Sequence, residues 1–312
     1  MTSAIFKKPA PYIALILANI IWGGNFVVAK ITLQEFPPMS LAFSRFVLAT
    51  ILLLPFFLSQ TKKIKIDKKD LPKLIAIGIF IITLNITFFF EGIKRTTVTD
   101  ASVLLLIGPM LSVLAGWWFL KEKVFLVNLI GIALGFIGAL VIIGLPDILS
   151  GNMSSQNIIG NILILLASVS WVVGAVIAKG ILKKYSSLVV TAIAFMVGMV
   201  TFALPALVEY LKNPDWILGI TTLGILGLIY MVLLSSISAY FLFEWGLSKT
   251  SVGTADLLQY IEPFVATFFA ITILGEVLSP TFLGGAALIA VGVYLGTLAK
   301  EAHHRHHRAH RH

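Results

Sequence analysis

The apolar residues of this chain arrive in blocks of about 20, the length a helix needs to cross the hydrocarbon core of a bilayer. Lipid offers backbone N–H and C=O groups no partner, so each block must satisfy its own as a helix. Composition agrees: 58% of residues are hydrophobic and 12% charged, against about 25% charged in soluble domains. Ten spans are read at 11–33, 38–58, 71–91, 97–119, 124–144, 158–182, 187–209, 216–245, 250–274 and 280–299. The expected fold is therefore an all-α integral membrane protein with ten transmembrane helices. The eighth span is long enough to tilt or to begin with an interfacial turn.

The chain has no cysteine, and its six histidines all lie in the terminal "HHRHHRAHRH". Thiol chemistry is excluded, and no histidine can serve as base, proton relay or metal ligand within the spans. The net charge of +9 is read as a mark of cytoplasmic loops and not of nucleic-acid binding. With the N-terminus in the cytoplasm, 18 of the 23 Lys and Arg residues fall on the inner side. Both termini are therefore expected inside. Lys7–Lys8 before an apolar run also resembles a secretory signal. The first span carries Asn19, Trp22, Asn25 and Lys30 and is echoed later in the chain, so it is expected to stay in the mature fold.

That echo is one of two. "WGGNFVVAK" at 22–30 returns as "WVVGAVIAK" at 171–179. "GIKRTTVTDASVLLLIGP" at 92–109 aligns without a gap on "GLSKTSVGTADLLQYIEP" at 246–263, an offset of 154 that also pairs Glu122 with Glu276, Gly131 with Gly285 and Gly138 with Gly292. Five spans per half is an odd number, so the second copy enters the membrane upside down. The expected units are residues 1–149 and 150–300, two inverted five-helix repeats, followed by a disordered tail at 301–312. Transporters recurrently use inverted repeats, with the site near the midplane where the repeats meet.

These motifs resemble the EamA branch of the drug/metabolite transporter superfamily. The resemblance rests on "WGGNFVVAK", on "LAFSRF" with Arg45, and on the pattern from Gly92 through Thr96 and Pro109 to Glu122. The second half supplies Trp171 and the run from Gly246 through Thr250 and Pro263 to Glu276. It covers the chain except its first residues and tail. It implies a carrier in the inner (plasma) membrane that moves a small organic solute outward by alternating access. It leaves the substrate open among amino acids, other metabolites, nucleotide sugars and sugar phosphates.

Polar groups inside lipid are costly without partners and tend to face the bundle interior. Asn19, Trp22 and Asn25 recur every three residues on one helical face. Trp22 lies roughly 16 Å along its span at 1.5 Å per residue, too deep for an interfacial anchor, and Trp171 is similarly deep. Both are candidate cavity walls, with core packing as the alternative. Asn85, Phe88 and Phe89 give the third span a polar-aromatic patch, and Ser236, Tyr240 and Glu244 form a stripe at i, i+4 and i+8 in the eighth. Arg45 needs a partner, whether carboxylate, backbone carbonyl or anionic substrate group. Glu262, next to Pro263, has Gly108 as its counterpart in the other half. A charge in one repeat alone suggests substrate binding or proton coupling, a role open also to Glu244. Asp256, Gln259 and Glu262 advance by three and are expected on one wall, with Tyr260 adjacent. Pro109 and Pro263 are expected hinges. Glu122 and Glu276 are read as capping or scaffold residues, Gly131, Gly135, Gly138, Gly284, Gly285 and Gly292 as close packing, and Lys30 as snorkelling to the interface.

The leading expectation is a secondary exporter of small metabolites, above all amino acids. The alternative is a carrier of anionic solutes such as sugar phosphates or nucleotide sugars, which would need more buried cations than Arg45 supplies. An enzyme acting on lipids fits poorly, because the spans hold no histidine, cysteine or DDxxD-type cluster. No phosphate loop or dinucleotide fingerprint is present, so no cofactor, metal or ATP coupling is expected. The expected partners are a small-molecule substrate and membrane lipids, with no nucleic acid. The tail could bind metal, or could be a tag remnant or a basic end near lipid. It is kept out of the site.

Overall fold

The computed structural model describes residues 9–61, 66–108, 110–111, 114, 126–143, 155–249 and 258–309. Among them every regular element is helical. In chain order these are α1 (Ala10–Thr32), α2 (Pro38–Thr61), α3 (Leu71–Ile77, Gly78–Leu84, Asn85–Arg95), α4 (Val98–Leu104), α5 (Leu126–Ile143) and α6 (Ser155–Ile181). They continue as α7 (Ser187–Lys212), α8 (Thr222–Ile229, Tyr230–Ser238, Ala239–Lys249), α9 (Ile261–Leu274) and α10 (Pro280–Ala309). Six of these, α1, α2, α3, α6, α7 and α8, are long and apolar enough to cross a membrane, and α5, α9 and α10 contain shorter apolar stretches. Among the described residues the chain is thus all-helical, with six candidate membrane spans.

Proline and glycine set most boundaries. Pro37–Pro38 cannot continue α1, and Pro38 opens α2 where a missing N–H costs nothing. A short 3-10 helix, Pro214–Gly219, precedes α8, so the long eighth segment begins with a separate turn. Gly275 adopts φ +67, a left-handed conformation that side chains resist, and closes α9 by directing the Glu276 N–H back to Ala270 O at 3.1 Å. The helical backbone of α10 runs on to Ala309, past the expected end at 299 and into the stretch read as a tail.

The helices pack in a few close pairs: α1 with α8 and α9, α2 with α7, α3 with α6, and α5 with α10. Gly138 and Gly285 meet at the last of these. A methyl on Gly138 would sit 2.6 Å from Gly285 O, and one on Gly285 would sit 2.7 Å from Gly138 O. Gly292 is held against Gly131 O in the same way, at 2.5 Å. The packing role expected of these glycines is what they perform. Gly284 differs, because a methyl there would meet nothing within 4 Å.

Two features depart from ideal helices, and each occurs in both halves. The first is π-helical winding, over Gly78–Leu84 in α3 and Tyr230–Ser238 in α8. Such wide turns shift carbonyls out of line for outside donors. Ser170 Oγ donates to Phe80 O at 2.6 Å, and Trp22 Nε1 donates to Ser235 O at 3.0 Å. The second is a break. Helix gives way to a turn at Leu105–Leu106 and again at Gln259–Tyr260, 154 residues on. A proline at i leaves the carbonyl at i−4 without its helical donor. At Pro263 that carbonyl belongs to Gln259, and it takes the Glu262 N–H instead, at 3.0 Å. Gly108 N donates to Leu105 O at 2.9 Å in the same manner. Pro109 itself lies outside the described residues, as do Asp256 and Glu122.

The break corrects one expectation. Gln259 and Tyr260 belong to a turn, and Glu262 to the first turn of the helix beyond it. Spacing by three therefore does not put Gln259 and Glu262 on one helical wall. Pro263 sits just inside the start of α9, where proline is tolerated, and not in mid-helix.

Cross-helix caps gather where α1, α3, α7 and α9 end. Glu276 accepts from Val98 N at 2.7 Å and Thr99 N at 3.0 Å, capping α4, so its expected capping role is seen. Glu209 does the same for α2, accepting from Met39 N, Ser40 N and Ser40 Oγ at 2.7–3.1 Å. Lys30 donates to Ile93 O at 2.8 Å and to Thr96 O, capping the end of α3. It does not snorkel to the interface as expected, because those freed carbonyls are nearer. Glu276→Ala would leave two helix-start N–H groups without an acceptor, an expected loss of about 1–2 kcal/mol. Thermal unfolding in detergent would measure it, with Glu276→Gln as the milder variant.

At the same end Glu35 accepts from Thr221 Oγ1 at 2.7 Å and Thr221 N at 2.8 Å. These bonds hold its carboxyl below the ordinary glutamate value. At the other end Asp70 accepts from Lys184 Nζ at 2.6 Å and Tyr185 OH at 2.8 Å. Lys184 first, then Tyr185, holds Asp70 low as well. A depressed carboxylate stabilises the fold above its unfolded pKa and loses that contribution as pH falls through the folded value. Both contacts are therefore expected to hold at neutral pH and to loosen on acidification below about 4. Glu35→Gln, unable to titrate, should flatten the acid limb of a stability-against-pH profile, and an unaltered limb would exclude Glu35 as a source of it.

Candidate functional site

Where α1, α2, α6, α7 and α8 converge, the described interior is aromatic and polar together. Trp22 stacks edge-on to Tyr240 with centroids 5.4 Å apart and leans on Phe243 at 5.2 Å. Trp171 reaches the same Tyr240 at 6.4 Å, and Phe195 packs edge-on to that tyrosine at 5.8 Å. The two repeated tryptophans thus flank one tyrosine. Both are half-buried.

The string that begins at Trp22 has a steric reading. A methyl on Gly23 would fall 2.8 Å from Glu262 O and 2.7 Å from Val265 Cβ, so only glycine lets α9 come this close. Gly24 leaves room for the Tyr230 hydroxyl, 2.8 Å from where its methyl would be, and that hydroxyl donates to Ile21 O at 2.7 Å. Tryptophan lines the interior while two glycines admit α9 and α8.

Arg45 enters from α2 and is 3% exposed. Its Nε donates to Ser236 Oγ at 2.8 Å and Nη2 to Ser235 Oγ at 3.2 Å. Its guanidinium carbon lies 5.3 Å from the Phe46 ring centroid, and Phe46 packs on Phe195 at 5.3 Å. Consecutive serines would diverge by 100° on an α-helix. The wider π turn brings both to one guanidinium while Ser235 O also receives Trp22.

Glu262 is half-buried and its carboxyl makes no hydrogen bond or ion pair among the described residues. The reading in which it satisfies backbone freed by Pro263 is therefore not what is observed. Asn25 is 7% exposed, and its Oδ1 has no donor among the described residues. At Gly108, the first-half position matching Glu262, a methyl would meet nothing within 4 Å.

Other candidates lie apart from this cluster. Asn85 spends its amide on Ala167 O at 2.9 Å, tying α3 to α6. Phe89 is buried against Phe26 at 5.3 Å, and Phe88 packs on the same apolar core. Gln259 and Tyr260 occupy the turn before α9. The Glu244 side chain lies outside the described residues. Ser235, Phe195, Phe243 and Tyr230 join the cluster without having been singled out as site residues. Ser235 had a neighbour in the expected stripe, but nothing in the sequence marks a π turn.

Three comparisons bear on identity. A relative from Archaeoglobus fulgidus, named an uncharacterized transporter, is 31% identical over 290 residues, covering 92% of this chain and 96% of its own. A probable amino-acid metabolite efflux pump from Salmonella typhimurium is 29% identical over 290 residues, covering 90% and 92%. One solved structure, titled only as a crystal structure of a protein, superposes with a TM-score of 0.63 over 93% of this chain and 98% of that one, at 18% identity. That likeness speaks to the fold alone. The model of the EamA-like transporter family matches twice, at residues 10–144 and 158–298. A helical, multi-pass chain matched over nearly all of its length by that model belongs to the EamA-like transporter family.

Proposed function

We propose that the chain is a secondary carrier exporting small organic metabolites, amino acids foremost, across the inner membrane. Transport proceeds by alternating access, as two inverted five-helix repeats rock about a site near the midplane, with both termini in the cytoplasm. The doubled π turns, doubled breaks and reciprocal glycine contacts support two repeats of opposite insertion. Relatives named as transporters support a non-enzymatic role, and the efflux pump of Salmonella typhimurium favours amino acids.

The observation that carries the reading is an aromatic interior holding a buried Arg45, while Asn25 and Glu262 carry polar atoms that find no partner among the described residues. Trp22, Trp171 and Tyr240 offer surface to an apolar or aromatic side chain, and the polar groups offer partners to its charged end. Glu262 is the leading proton-coupling acid, with Glu244 second. Pro109 and Pro263 mark the bends about which α4 and α9 flex.

Sugar phosphates and nucleotide sugars remain the second reading, favoured by the one buried guanidinium. A dianion asks for more. Lys30 is committed to backbone carbonyls, and a carboxylate at Glu262 would repel such a ligand. Thermal-shift screening of the purified protein against amino acids, polyamines, nucleosides and sugar phosphates separates the two. Shifts by phosphorylated solutes and none by amino acids would overturn the first reading.

A further inference from the structure

Arg45 carries a full positive charge in the protein interior, and both of its acceptors, Ser235 Oγ and Ser236 Oγ, are neutral. No carboxylate among the described residues forms an ion pair with it, and its Nη1 has no hydrogen-bond partner there. Desolvating a cation without a counter-charge is costly, yet two serines and a π turn hold this one in place. The fork is oriented and incomplete.

Aromatic surface lies beside the guanidinium: Ser235 joins Arg45 to the Trp22 indole, and Trp22 lies edge-on to Tyr240. From this arrangement we propose that Arg45 receives the carboxylate of an amino-acid substrate, whose side chain lies on those rings. The proposal rests on the amino-acid reading above and assigns its carboxylate contact.

A bidentate guanidinium–carboxylate pair is specific, because an amide in place of the carboxylate loses both the charge and one acceptor. The test uses full-length protein and four probes: phenylalanine, phenylalaninamide, phenethylamine and 3-phenylpropionate. Titration calorimetry of wild-type protein should show phenylalanine binding about 10- to 100-fold more tightly than its amide or phenethylamine, the worth of one charge-assisted pair. In Arg45→Gln that preference should fall to near unity, with affinity for the amide and the amine unchanged. Arg45→Lys keeps the charge without the fork and should fall between. It also serves if Arg45→Gln does not fold.

Equal weakening of all four probes in either Arg45 variant would show a structural role and overturn the assignment. So would a wild type that binds phenylalanine and its amide alike. A wild type that binds no amino acid in the screen overturns the amino-acid reading and the assignment with it, whereas one that binds another amino acid but not phenylalanine is judged on that amino acid and its amide by the same criterion.

Discussion

Gly138→Leu is expected to strip the protein of much of its thermal stability in detergent. The hydrogen on Gly138 faces the carbonyl of Gly285, and even a methyl would lie 2.6 Å from that oxygen. A flexible side chain could turn aside, but a backbone carbonyl inside a helix cannot. The helices must part, and the reciprocal contact, from Gly285 to Gly138 O at 2.7 Å, parts with them. The expected cost is about 3 kcal/mol or more, at the upper end for overpacking. That corresponds to a fall in Tm of roughly 6 °C or more for a chain of this size. Gly284→Ala is the control, because open space lies beside it, and it should leave Tm within about 1–2 °C of wild type. A Gly138→Leu protein as stable as wild type would mean that α5 and α10 do not cross at these glycines.

Glu262→Gln is expected to uncouple transport from the pH gradient while leaving exchange down a solute gradient intact. One proton crossing with each solute is worth about 1.4 kcal/mol per pH unit, a tenfold accumulation ratio. Wild-type protein in liposomes should approach that ratio for one pH unit, and Glu262→Gln should fall to a ratio near one. Glutamine keeps the shape and a hydrogen-bonding oxygen but cannot titrate, so the difference isolates the proton. Gradient-driven accumulation that survives in Glu262→Gln removes Glu262 from the coupling. Glu244→Gln is then the next variant.

The parts of this protein that could be read from sequence were those that repeat or obey a simple period. Apolar blocks of bilayer length point to helices because lipid enforces them, and six of the helices are long and apolar enough to cross a membrane. The offset of 154 between Gly92 and Gly246 led directly to Pro109 and Pro263, and the broken turns at Leu105–Leu106 and Gln259–Tyr260 keep the same offset. Trp22 and Trp171 stood out by depth, and they do approach a common Tyr240. What stayed hidden depended on geometry that the 3.6-residue period does not describe. The π turn in α8 brings Ser235 and Ser236 together on Arg45, and no pattern of polar residues announces it. Lys30 was read by its place near a helix end, but its partners are carbonyls 63 and 66 residues away. Asn85 reads as a cavity group because it is polar in an apolar span, and the Ala167 carbonyl of α6 claims it. Polarity shows that a side chain needs a partner and leaves open which one it finds.

The carboxylate caps carry a consequence for how the chain is made. Met39 and Ser40 at the start of α2 are completed by Glu209, and Val98 and Thr99 at the start of α4 by Glu276. Each of these acceptors is synthesised 169 to 178 residues after the amides it serves. While the ribosome is still working on the second half, α2 and α4 have only water or lipid headgroups at those ends. The first half is thus a waiting intermediate, finished only when its later counterpart arrives, and a gene cut between the halves should yield two fragments that each need the other to become protease-resistant.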